Sequence, residues 1–221
     1  FDSLAGSSKL IFRILKVFFG EVNSYKKTYI LAALVILTFI FPRIAVAKSP
    51  SYEMTSGSYL VTEYDGQSTG FAFEATRSFN KNVFWGIGYS LQEGTSNESS
   101  WRGSEDVKLT SVAFGLGYHS PITRSTDFYN TLSYAHIETE IEHYNDIDGY
   151  AAALELGFRS MLTRKLELST AIAMIKIKDA KLSENLQLGM YYYLAKDFSA
   201  GFNYVKGEDS YSYSMSARFH Y

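Results

Sequence analysis

Three groups of residues in this sequence have types and spacings that chemistry can use. His119 and Ser120 set an imidazole base next to a hydroxyl. His143, Asp146 and Asp148 set a second imidazole beside an Asp-x-Asp pair, the raw material of acid–base catalysis. Glu74, Glu155, Arg159, Glu167, Arg218 and His220 are scattered through otherwise apolar stretches, together with Gln187 and Asn203. Whether any of these groups can act depends on the elements that hold them.

Those elements are strands. From Tyr52 onward no stretch keeps an apolar period of 3.6, and a period of two recurs. Val83, Trp85, Ile87, Tyr89 and Leu91 alternate with Phe84, Gly86, Gly88, Ser90 and Gln92. Val112, Phe114, Leu116 and Tyr118 do the same, as do Leu186, Leu188, Met190, Tyr192 and Leu194. The pattern predicts ten strands, near 54–64, 70–79, 83–92, 107–120, 126–142, 149–162, 166–178, 184–194, 198–206 and 210–221. The phase of the first is not fixed by its residues. The connections alternate in kind. Short ones at Asn80–Asn82, Pro121–Ser125, Thr163–Lys165 and Ala195–Asp197 take turns with more polar ones of varied length.

Placed on strands, the three groups separate. A hydrolytic Ser/His pair needs both side chains on one face, and adjacent residues such as His119 and Ser120 point to opposite faces. His143, Asp146 and Asp148 share one rim, and no second acidic pair with a histidine faces them. No catalytic residue is assigned, and an enzyme is not expected. With zero Cys there is no thiolate metal site, and neither a metal nor a cofactor is expected. The scattered ionisable set shares the phase of the glycines Gly86, Gly88, Gly115, Gly117, Gly157, Gly189 and Gly201, opposite the apolar face.

Composition narrows the setting. Aromatics make up 16% of 221 residues, with 18 Tyr and 16 Phe, while mean hydropathy is only -0.10. That combination excludes a bundle of membrane helices. Six basic residues (Lys9, Arg13, Lys16, Lys26, Lys27, Arg43) and two acids (Asp2, Glu21) precede residue 48, which leaves fifteen basic and twenty-one acidic residues in 48–221. A mildly acidic body is a poor partner for nucleic acid, whose phosphates need clustered Lys and Arg. Lys26-Lys27, the apolar run TYILAALVILTFIF at 28–41 and AVA at 45–47 have the order of a secretory signal peptide. Residues 26–47 are therefore expected to be a signal cleaved after Ala47, residues 1–25 a non-native upstream extension, and residues 48–221 the exported domain.

An exported chain of alternating strands, with short connections on one rim and long ones on the other, predicts a closed antiparallel up-and-down transmembrane β-barrel. Ten strands are expected, with eight as the alternative. Closure removes the two sheet edges that would otherwise sit unpaired in lipid. The last strand, YSYSMSARFHY, places Tyr213, Met215, Ala217, Phe219 and Tyr221 on the lipid face. Here the sequence resembles bacterial outer-membrane β-barrel proteins, which commonly end in an aromatic residue with apolar residues at alternate positions before it. Its size is similar to that of the small monomeric group that includes opacity proteins and attachment-invasion barrels. The resemblance covers about 52–221. It implies that the terminal residues are an assembly signal read by the barrel-assembly machinery and that the barrel is a monomer in the outer membrane. It is specific for the architecture and not for an activity, and a structural or surface-interaction, adhesion-like role is expected.

A barrel this narrow is expected to be mostly plugged by paired ionisable side chains, with Glu155 and Arg159 near Arg218 or Glu74. A narrow channel for small solutes is the alternative, and an outer-membrane lipid- or peptide-hydrolysing enzyme stands behind both. The inward glycines either line a cavity or make room for large neighbours such as Phe84, Tyr191 and Tyr193. In the loops, Trp101, Arg102, Asp146 and Asp148 are candidate contacts, to lipopolysaccharide through bridging divalent cations or to an extracellular ligand.

Overall fold

The structure is a computed structural model, and it describes residues 49–63, 66–96, 105–141, 147–178 and 180–221. The chain divides into Phe1–Ile44 and Ala45–Tyr221, and all described residues lie in the second unit. That unit is built from β1 (Met54–Glu63), β2 (Gln67–Ser78), β3 (Val83–Ser96), β4 (Glu105–Pro121), β5 (Thr126–Ile141), β6 (Ile147–Met161), β7 (Leu166–Ile177), β8 (Leu182–Tyr193), β9 (Phe198–Lys206) and β10 (Tyr211–His220). Each strand pairs antiparallel with the next. β1 pairs with β10, from Met54 opposite His220 to Glu63 opposite Tyr211, and this closes the barrel. The closed count is ten, so the eight-stranded alternative is set aside.

Four tight connections share one backbone device. Phe79 N–H donates to Val83 O (2.8 Å), Ile122 to Thr126 O (2.9 Å), Leu162 to Leu166 O (2.8 Å) and Leu194 to Phe198 O (3.0 Å). Side chains brace three of these turns. Asn80 Oδ1 accepts from Asn82 and Val83 N–H, Thr123 Oγ1 from Ser125, and Thr163 Oγ1 from Lys165 and Leu166. These turns share a rim with Met54 and His220. In barrels of this kind it is the periplasmic one.

The alternation sorts side chains to two faces. Phe71, Phe73, Ile87, Val112, Phe114, Leu116, Leu132, Leu186, Leu188, Met190 and Met215 are exposed large apolar groups on the outside. Aromatic pairs border them, with Phe128 and Phe158 at 5.5 Å near the short turns and Tyr134 and Tyr150 at 5.7 Å toward the loops. An apolar belt between two aromatic girdles is what a bilayer selects.

Strand ends differ from the sequence expectation. β2 begins at Gln67 and not at residue 70, because Gln67, Ser68 and Thr69 pair with Glu63, Thr62 and Val61. β3 runs on to Ser96 and β4 starts at Glu105, where a loop of residues 93–106 was expected. Apolar alternation stops where the outer face leaves lipid, whereas the backbone ladder continues. The phase of β1 is settled by its neighbours: Met54, Ser56 and Ser58 line the lumen and Tyr59 faces outward, 5.4 Å from Phe71.

Candidate functional site in the lumen

The inward polar residues gather at the periplasmic end. Arg159 on β6 reaches Glu167 on β7 with Nε at 2.9 Å, and Nη2 lies 2.8 Å from the same oxygen. The Nη2 contact is an ion contact without hydrogen-bond alignment. Arg218 on β10 approaches Glu167 Oε1 from the far wall at 3.2 Å, and Tyr193 Oη donates to Oε2 at 2.9 Å. Two guanidinium groups and a phenol thus meet one carboxylate that is fully buried. Such a carboxylate is tolerable only because every partner is in place. Arg218 also lies over the Tyr191 ring at 3.2 Å.

The residues before β1 complete this floor. Ser51 O accepts from Arg159 Nη1 at 2.8 Å. Tyr52, only 5% exposed, stacks on His119 at 4.0 Å, lies 4.9 Å from Phe84 and carries the Arg159 guanidinium 4.7 Å above its ring. Burial pushes the Tyr52 phenol well above its ordinary range, so it stays neutral beside the arginine. Ser49 Oγ donates to Asp127 Oδ1 at 2.5 Å, and His119 Nδ1 lies 3.1 Å from Asp127 Oδ2. The floor therefore runs unbroken from β3 to β10 across the lumen.

Directly paired glycines make room for its rings. Gly117 lies opposite Phe84, Gly157 opposite Tyr129 and Gly201 opposite Tyr191. A Cβ on any of the three would overlap the facing ring. Gly88 is different. A Cβ there would meet nothing closer than 3.8 Å. Above the floor lies a polar cavity of about 270 Å³, bordered by Glu74, Glu155, Gln187, Asn203 and a set of Ser and Thr hydroxyls.

The ion pairing differs from the expectation in its partners. Arg159 pairs with Glu167, and Arg218 with that same carboxylate. Glu155 joins neither arginine. It accepts from Tyr129 Oη (2.7 Å) and Gln187 Nε2 (3.1 Å), because Tyr129 and Gln187 reach it from β5 and β8 in the same layer. Glu74 lines the cavity with no cationic partner among the described residues. His220 Nε2 contacts Ser199 Oγ at 2.9 Å and its ring stacks on Tyr193. This Ser/His contact is buried, and no carboxylate reaches His220 Nδ1.

The remaining candidates lie elsewhere. Met215, Phe219 and Tyr221 are exposed on the outer face of the closing seam, where Tyr213 and Ala217 share their phase, and Tyr221 Oη meets Thr55 Oγ1 at 3.4 Å. Asp148 is the second residue of β6, its Oδ1 3.8 Å from His136 Nε2. Trp101, Arg102, His143 and Asp146 lie outside the described residues. The sequence reading missed Ser49, Ser51 and Tyr52, which precede the first strand and carry no periodicity. It also missed Asp127 and Tyr129, whose shared phase on β5 was a readable signal.

A closed ten-stranded barrel with an apolar belt outside and a polar lumen defines a transmembrane barrel of the bacterial outer membrane. The sequence matches the outer membrane protein beta-barrel domain over residues 31–209, and the chain belongs to that family. A search of curated proteins finds no match. Among solved structures, the chain is similar to the NanC porin (7% identity, 76% of this chain and 100% of that one, TM-score 0.49). It is also similar to OprG from Pseudomonas aeruginosa (14%, 76% and 95%, TM-score 0.42) and to Ail, the attachment invasion locus protein of Yersinia pestis (15%, 76% and 94%, TM-score 0.34).

Proposed function

We propose that this protein is a non-conducting outer-membrane barrel that acts through its cell-surface side. The single observation behind this reading is the closed floor, in which Glu167 and Tyr52 tie β3 to β10 across the lumen. A pore needs a continuous wet path, and buried ion pairs packed against stacked rings stand in its way at this level. The surface role falls to the loop side, where Asp148 and the loop residues Trp101, Arg102 and Asp146 are the candidate contacts to lipopolysaccharide or an extracellular ligand. The barrel works as a monomer and enters the membrane through the assembly machinery, which reads the terminal strand. Its exported form begins at Lys48, which places the segment from Ser49 to Glu53 close behind the new N-terminus. A liposome-swelling assay tests the reading. Vesicles carrying the folded protein should swell no faster in arabinose than empty vesicles, and swelling comparable to that given by a general porin would overturn it.

A further inference from the structure

The cavity above the floor has a charge pattern of its own. Two guanidinium groups, Arg159 and Arg218, border it and share one carboxylate, Glu167. The floor carboxylates Glu167 and Asp127 offset the two arginines overall, but neither borders the cavity, so the charge it meets on that side is that of the guanidinium groups. The wall above carries Glu74 and Glu155, neither joined to a cation among the described residues. Between the charges, Gln187 and Asn203 supply amides. Thr76, only 5% exposed, lines the same cavity with its Oγ1 unpartnered. Tyr52 Oη, on the floor, is also buried without a partner.

We infer that this cavity is a binding site for a small zwitterion of the amino-acid type. The carboxylate would lie toward the floor guanidinium groups and the ammonium toward Glu74 and Glu155. A buried orphan hydroxyl is costly in an empty site and favourable once a complementary ligand arrives, and Glu74, exposed along the lumen wall, keeps its carboxylate available to an ammonium. The cavity, about 270 Å³, has room for a molecule the size of a polar amino acid. A purely anionic ligand would meet Glu74 and Glu155, and a purely cationic one would meet the Arg159 and Arg218 guanidinium groups. With the periplasmic side closed, the ligand enters from the loop side and leaves the same way. The lumen then works as a blind cup. Only the blind-cup route rests on the proposed lack of conductance; the binding itself can fail without it.

Calorimetric titration of the folded, detergent-solubilised barrel tests the assignment with three probes of one shape. These are glutamine, its amino alcohol, which lacks the carboxylate, and its 2-hydroxy acid, which lacks the ammonium. Glutamine should bind, and each analogue should bind about tenfold more weakly or worse, the effect of one lost charge-assisted hydrogen bond. In Glu74→Gln the gap between glutamine and the 2-hydroxy acid should collapse, while heat-modifiable migration reports that the barrel is still folded. Wild-type ranking alone decides the matter if that variant does not fold. No binding of glutamine by the wild type, equal binding of all three probes, or a gap unchanged in a folded Glu74→Gln barrel would each overturn the assignment.

Discussion

At the scale of single residues, stability is concentrated where charge is buried. Glu167 has no exposure and meets Arg159, Arg218 and Tyr193. Arg159→Ala removes the closer guanidinium and leaves Ser51 O without its donor. Breaking a buried pair of this kind costs about 3–5 kcal/mol. Leu132→Ala removes a larger apolar group from a position 58% exposed on the lipid side, and lipid fills the space. Thermal melting of the two variants should therefore rank Arg159→Ala as clearly the less stable, and equal melting would mean that the floor is solvated. Gly117 gives a second residue-level expectation. Its missing Cβ is the space occupied by the Phe84 ring, and that ring is held by Tyr52. Gly117→Ala should destabilise by about 1–3 kcal/mol, the usual cost of overpacking. The same change at Gly88, where an added Cβ would make ordinary van der Waals contact with Phe73 O and Ala113, should be close to neutral in the same melt.

At the scale of elements, the strands were legible and their partnerships less so. Strict alternation over β3, β4, β8 and β10 fixed which residues face lipid, because a one-residue slip would send every apolar group inward. It also placed Arg159, Glu167 and Arg218 on the lumen wall. It did not say which carboxylate would serve which arginine, because Glu167 meets Arg159 diagonally across the β6–β7 pair and Arg218 from β10, a strand that is not its neighbour. The segment from Ser49 to Glu53 was invisible for a different reason. It belongs to no strand, and its value lies in Tyr52 filling a gap left by β3, β4, β5 and β6. β10 carries an expectation about assembly. Its outward Phe219 sits on the closing seam opposite Thr55. Phe219→Asp puts a charge on the lipid face and spoils the terminal pattern, so the yield of folded protein in the outer membrane should fall several-fold by heat-modifiable gel migration. An unchanged yield would show that assembly does not read this residue.

At the scale of the whole molecule, ten strands give a lumen wider than side chains alone fill comfortably, and the two ends use that width differently. Aromatic rings laid over Gly117, Gly157 and Gly201, the shared carboxylate of Glu167 and the inserted Tyr52 fill the periplasmic end. Farther in, small residues leave a polar cavity. The account rests on the first of these, a floor that blocks passage. Single-channel recording in planar bilayers tests it most directly, on the wild type and on Tyr52→Ala side by side. The wild type should give no steps above the bare-membrane baseline, and Tyr52→Ala, which removes the ring between Phe84, His119 and Arg159, should give small, flickering ones. Stable, well-resolved openings in the wild type, unaltered by Tyr52→Ala, would contradict it.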